Sequence, residues 1–279
     1  LALSVVFGIT YAANDGRMKD RTFEEVRDTV CNDEYTLEIH GRFVENDTLF
    51  FLKEYVAEKG SKQLNTSAYL EPDRNSLYYM PEYWLSRFDG IDGDAVQQDM
   101  RYWTNYRQEH NGKSLGKVRL PDIPADWIPL YHVDGKTCVF VPCEVDRQYR
   151  LTDSLLMWKG FEISFFAMRK SECLSPACQH FQVEELEGTF SDLYIHRVDN
   201  DTDASVWEFR YGDSSSEYIL MIPVASVKDF DMVVCQTVGD KYFGDWGLCT
   251  VDAESMLEAA RRGEVIDIHH LDKFVVRRS

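Results

Sequence analysis

The 279-residue chain predicts an α+β fold: a helix-rich N-terminal region over residues 14–120, then an antiparallel β-barrel with one C-terminal helix over residues 125–279. Three observations carry this. Hydrophobic spacing changes near residue 120, from helical signals to short strands. Seven or eight such strands then follow at close spacing, the pattern of a closed barrel or a sandwich. From Asp229 to Arg278 the chain reads as strand, tight turn, strand, one capped helix and a final strand.

Leu1 to Ile9 is an uninterrupted run of small and apolar residues, followed by Thr10, Tyr11, Ala12 and Ala13, with nothing charged before Asp15. This matches the apolar core and cleavage site of a secretory signal peptide over residues 1–13; a buried N-terminal strand is the competing reading. Asp47 is placed to cap a helix over 48–59 that Gly60 ends. Pro81 is a natural first helical residue for 82–88. Asp94 caps a longer helix over 95–110, closed by Asn111 and Gly112. The stretch 77–106 is dense in aromatic residues, which suits a small helical core better than a sugar-stacking surface. Residues 120–126, with Pro121 and Pro124, read as an extended linker.

Beyond the linker, Trp127 to Val133 and Lys136 to Val141 flank Asp134 and Gly135, a strong hairpin signal. Residues 161–168 alternate, with Phe161, Ile163, Phe165 and Ala167 on one face. Residues 192–198 and 205–211 flank a polar turn, and Trp207, Phe209 and Tyr211 share a face against Val206, Glu208 and Arg210. A strand over 217–224 comes next. Residues 231–238 and 246–251 then pair across turns made by Gly239, Asp240, Gly244 and Asp245. Asp252 caps the late helix, Met256, Leu257 and Ala260 form its apolar stripe, and Arg261 and Arg262 sit at its negative end. Gly263 stops it.

The charge balance, 30 basic against 48 acidic residues for a net charge of -18, argues against a nucleic-acid or anionic-membrane partner, because both would be repelled. No later apolar run reaches membrane-spanning length. Seven cysteines fit an oxidising compartment, so a secreted or extracytoplasmic location is expected, an organelle lumen included. Cys173 and Cys178 bracket a Ser-Pro turn that would bring their sulfurs together, and Cys235 and Cys249 flank the last hairpin. Cys138 and Cys143 would point to opposite faces of one segment and so bond elsewhere. The odd total leaves at least one thiol free or intermolecular, with Cys31 the candidate. Asn46, Asn65 and Asn200 each open an Asn-x-Ser/Thr triplet, a glycan acceptor in a secreted protein.

Asp199, Asp201 and Asp203 present carboxylates at alternate positions, as calcium loops do. The sixth position is Ala204 rather than glycine and the twelfth is Arg210 rather than glutamate, so a solvated hairpin turn competes with calcium. The C-x4-C spacings are wider than structural zinc pairs prefer. Asn111-Gly112-Lys113-Ser114 lacks the earlier glycine and leading strand of a phosphate loop. Cys178 and His180 are too close in sequence to serve readily as nucleophile and base. No cofactor motif emerges.

The C-terminal 155 residues resemble lipocalins in architecture. Trp127 stands where that family places the tryptophan of Gly-x-Trp, although here the triplet is Ala125-Asp126-Trp127. The closing order of strand, tryptophan-bearing strand and short helix is also similar, while the arginine that commonly closes the last barrel strand is missing, with Thr250 in its neighbourhood. The preceding N-terminal region and cysteine-bearing strands are similar to the violaxanthin de-epoxidase branch, whose catalytic residues have no match here. The resemblance implies a small hydrophobic ligand, such as an isoprenoid, a carotenoid or a fatty-acid-like molecule. Phe161, Ile163, Phe165, Trp207, Phe209 and Tyr211 are the expected lining. An enzyme of the de-epoxidase kind, acting on a polyene lipid, would need an inward acid such as Glu162 or Glu208. A secreted interaction module would instead have a filled barrel.

Overall fold

The computed structural model describes residues 22–28, 37–56, 62–89, 101, 104–105, 115–133, 136–142, 147–160, 163–185, 190–212, 215–237 and 251–275. Four N-terminal strands, β1 (Thr22–Asp28), β2 (Leu37–Glu45), β3 (Thr48–Val56) and β4 (Lys62–Leu70), precede helix α1 (Pro81–Asp89). Ten more strands follow: β5 (Asp126–Val133), β6 (Lys136–Val141), β7 (Gln148–Leu151), β8 (Leu155–Lys159), β9 (Ile163–Ser175), β10 (Cys178–Glu184), β11 (Phe190–Arg197), β12 (Ser205–Arg210), β13 (Ser216–Pro223) and β14 (Asp231–Thr237). Helix α2 (Ala253–Arg261) and a 3-10 turn at Asp272–Phe274 complete the described chain.

Strands β7 to β13 form a continuous antiparallel meander, and β5 closes it by pairing with both β13 and β7. The result is a closed eight-stranded antiparallel barrel. Its closure needs only the first half of β5, where Trp127 lies opposite both Tyr149 and Pro223. From Leu130 onward β5 pairs with β6 instead. Pro129, which has no N–H to donate to a ladder, sits at this change of partner. β6 runs parallel to β14, β14 antiparallel to β4, and β4 to β1 continue this second sheet away from the barrel.

Of the four apolar clusters among the described residues, three touch the barrel or its helices, and the fourth joins Ala68, Cys138 and Val233 in the second sheet. One lies inside the barrel, around Trp127, Tyr149, Phe181 and Trp207. A larger one fills the space between the outer face of the barrel, β6, β14 and helix α2, which contributes Met256 and Leu257. A third packs Phe88 of α1 against the outer side of β8 and β9. The carbonyls of α1 are tied to the barrel wall, because Lys159 Nζ donates to Arg87 O and Gln148 Nε2 to Trp84 O.

Helices α1 and α2 form where the sequence predicts them. Asp252 caps α2 by accepting from the Ser255 N–H at 3.0 Å. The helix expected over 48–59 does not form: residues 48–56 are strand β3. Asn46 (φ 49°) and Asp47 (φ 59°) make a two-residue turn that pairs Glu45 with Thr48. Positive φ at both positions is the type I′ geometry whose twist suits a hairpin, and Asn and Asp tolerate it. The same short polar side chains that cap helices therefore start a strand here. The helix expected over 95–110 lies mostly outside the described residues, as do 246–250, the expected partner of β14.

Glycine is the best second residue of a type I′ turn, whereas glycine for aspartate at a helix cap costs a few tenths of a kcal/mol. Asp47→Gly is therefore expected to raise stability by about 0.5 kcal/mol in urea unfolding. A loss of stability would contradict the hairpin.

Candidate functional site

Alternation along the eight barrel strands sorts side chains into an inner and an outer set. Trp207 faces inward and is fully buried. Its ring centroid lies 5.5 Å from that of Trp127 and 5.2 Å from that of Tyr149, and Phe209 is 6.1 Å from both Tyr149 and Trp207. Tyr149 also stacks on Trp158 at 6.2 Å and 11°. Contacts at these separations are favourable for aromatic pairs. Val118, Leu120 and Ile123 pack against this inner cluster, and the Val118 N–H donates to Asp153 O in the β7–β8 turn. The segment before β5 thus closes one end of the barrel.

At the other end stand Tyr211 and Glu217. Tyr211 is 37% exposed and its hydroxyl donates to Glu217 at 3.1 Å. Burial and the nearby Glu217 push the Tyr211 phenol up to about 12. Deeper in, Tyr149 is raised further, first by burial and then by Glu217, so it remains a neutral phenol.

Two of the expected lining residues, Trp207 and Phe209, belong to this inner cluster. Tyr211 continues the same face to the rim. Ile163 and Phe165 do not line the interior: they join Phe88, Leu155 and Met157 on the outer side. In β9 the inward residues are Phe166 and Met168, paired with Leu156 and Val183. Both faces of this strand are apolar because α1 covers the outer one, so alternation alone could not say which faced in. Phe161 lies outside the described residues.

The interior also holds polar atoms. Trp207 Nε1, Trp158 Nε1, Gln179 Oε1 and Ser191 Oγ are buried and have no hydrogen-bond partner among the described residues. Gln179 and Ser191 lie opposite Ile195 and Val183, which belong to the inner cluster. Leaving such a group unpaired costs on the order of 1–3 kcal/mol. By contrast the indoles of Trp127 and Trp84 donate to Pro124 O and Tyr78 O.

The outer face of β10 to β13 carries a row of titratable groups. His180 Nε2 lies 2.7 Å from Asp192 and its ring stacks on Tyr194 at 4.6 Å. His196 Nε2 lies 2.8 Å from Glu208, and Glu208 also accepts from Arg210 at 2.6 Å and from Arg261 of α2 at 3.4 Å. Glu208 is 2% exposed but points outward, opposite in sense to Trp207 and Phe209, so it is not the inward acid a lumenal enzyme would need. Glu162 lies outside the described residues. Although burial works against it, hydrogen bonds from Arg210 and His196 hold the Glu208 carboxyl below its usual range. Burial lowers the His196 imidazole despite the pull of Glu208. Cys178 lies directly across the ladder from His196, but the two make no hydrogen bond and burial raises the thiol. Such a thiol is not poised as a thiolate nucleophile.

Asp199 accepts from both the N–H and the hydroxyl of Thr202 and so stabilises its turn, while Asp203 pairs with Arg197 at 3.5 Å. Among the described residues no three His, Cys, Asp or Glu side chains group to hold a metal ion. Asp201, between Asp199 and Asp203, is exposed. Cys173 and Cys178 are free thiols. The β9–β10 register sets Cys173 opposite Gln179, with Leu174 bulged, and Gln179 Nε2 donates to Cys173 Sγ at 3.4 Å. Cys178, one residue from Gln179, faces the other way in this arrangement. Cys235 is disulfide-bonded; Cys249 lies outside the described residues. Among the described residues no helix is long and apolar enough to cross a membrane.

Comparison with protein-family models, with curated proteins and with solved structures returns no match.

The outer polar row has a pH signature. A histidine held below its ordinary value of 6.5 disfavours the fold once the unfolded chain begins to bind protons, so stability declines as pH falls through about 6.5. Glu208, also lowered, adds a further loss at more acidic pH, from about 4.5 downward. His196→Gln is expected to flatten the decline between pH 7 and 5 in thermal unfolding; an unchanged slope would show that His196 does not cause it.

Proposed function

We propose that the protein carries a small, largely apolar ligand inside the barrel, in the manner of lipocalins. The observation that carries this reading is the set of four unpartnered polar atoms, on Trp207, Trp158, Gln179 and Ser191, within an otherwise aromatic and aliphatic interior. A sealed apolar core would have no use for them, and their cost is relieved by an occupant that offers complementary groups. An eight-stranded barrel has room for one such molecule, and its rings supply most of the binding energy through burial. The plug made by Val118, Leu120 and Ile123 fits a one-mouthed container, with the mouth beside Tyr211 and Glu217. An exported location agrees with the disulfide at Cys235.

A second reading, an interaction module with a filled barrel, is favoured by the mutual contacts of Trp127, Tyr149, Trp207 and Phe209. Native mass spectrometry of the purified protein, followed by solvent extraction, separates the two. The carrier predicts a stoichiometric apolar molecule, or saturable quenching of tryptophan fluorescence by retinoid, carotenoid or fatty-acid probes. An empty protein that none of these probes quenches would leave the filled module.

A further inference from the structure

We infer that the occupant of the barrel is uncharged and bears a hydrogen-bond-accepting oxygen near the two unpartnered indoles, which makes it a neutral alcohol, ester or ketone rather than a fatty-acid carboxylate or a bare hydrocarbon. This rests on the carrier reading above and narrows it. In the eight barrel strands, the described residues of inward parity include no Asp, Glu, Lys, Arg or His except at the strand ends. Arg197, at the plugged end, is committed to Asp203 and to Pro176 O at 3.2 Å. Glu217, at the open rim, accepts from Tyr211. Among the described residues Glu185 and Arg147 are the other charges near Tyr211 and Tyr149 at that rim.

Among the described residues the rim carries two acids and one arginine and the wall of the strands no cation away from their ends, so a ligand carboxylate would lose its hydration there without gaining a partner. Burying an unpaired charge in that way is costly enough that the group would shed the charge or stay outside. Neutral oxygen meets the opposite situation. Each indole N–H is a donor without acceptor capacity, so Trp207 and Trp158 can be satisfied only by an acceptor. Ser191 Oγ can give or receive, and Gln179 Oε1 receives. A pure hydrocarbon would leave both indoles unpaired, whereas a hydroxyl, ester or keto oxygen on an apolar body would not.

The test uses the full chain and two matched pairs of probes at near-neutral pH: retinol with retinoic acid, and methyl palmitate with palmitate. Displacement of a fluorescent probe reports each affinity. The neutral member of each pair is expected to bind at least about ten-fold more tightly than its carboxylate. Trp158→Phe and Trp207→Phe, which keep the ring and remove the donor, are each expected to weaken the neutral ligands by about five-fold. If Trp207→Phe fails to fold, Trp158→Phe, nearer the rim and partly exposed, carries the comparison. Carboxylates that bind as tightly as their neutral partners would overturn the inference while leaving the carrier reading in place. So would indole replacements without effect. Binding of none of the four probes would remove the carrier reading and this inference together.

Discussion

Strand β5 belongs to two sheets, and the barrel exists because β5 changes partners halfway along. Trp127 is paired to Tyr149 on β7 and to Pro223 on β13, so the residue that closes the barrel also places the first large ring in its interior. Two positions later Pro129 contributes no donor, and beyond it the strand is free to take β6 as partner. Had β5 stayed with β7 and β13 throughout, β6 and β14 would have no edge to join. The apolar core between barrel and second sheet, where Met256 and Leu257 of α2 are buried, would then be absent.

From that closure the inner and outer chemistry follow by alternation. Trp207 and Phe209 must face in because Val206 and Glu208 face out, and the outward side is then covered by α2. Covering a carboxylate is costly unless it is fully engaged. Glu208 has the imidazole of His196 and the guanidinium groups of Arg210 and Arg261 as partners, which is why its burial is tolerated. Arg261 comes from the last turn of α2, so one ionic cluster also helps to hold the helix against the barrel. The interior has the reverse character: neutral, aromatic and incompletely hydrogen-bonded.

Much of the C-terminal fold was legible in the sequence. The pairing of β5 with β6, the alternation of β12 and the capped helix α2 all depend on local chemistry, and each formed where expected. What depended on tertiary contacts was not legible. The run from Ile163 to Met168 is apolar on both sides because Phe88 covers one of them, so the inward face could not be chosen. Asn46 and Asp47 suit a helix cap and a type I′ turn equally, and pairing with neighbouring strands decided between them. The one-residue bulge at Leu174, invisible in spacing, set Cys173 and Cys178 on opposite faces. Likewise Trp158 and Gln179 carry no motif; only the barrel register reveals that their polar atoms are enclosed and unpaired.

The most direct measurement is a nitrogen–proton correlation spectrum of the indole groups, recorded for the ligand-free protein and again with a bound neutral ligand. Trp127 and Trp84 already donate to backbone carbonyls and serve as internal references. The account predicts that the Trp207 and Trp158 indole protons move downfield on binding while those two references stay in place. If Trp207 and Trp158 are unmoved at saturation, the unpartnered indoles do not face an occupant and the central claim fails.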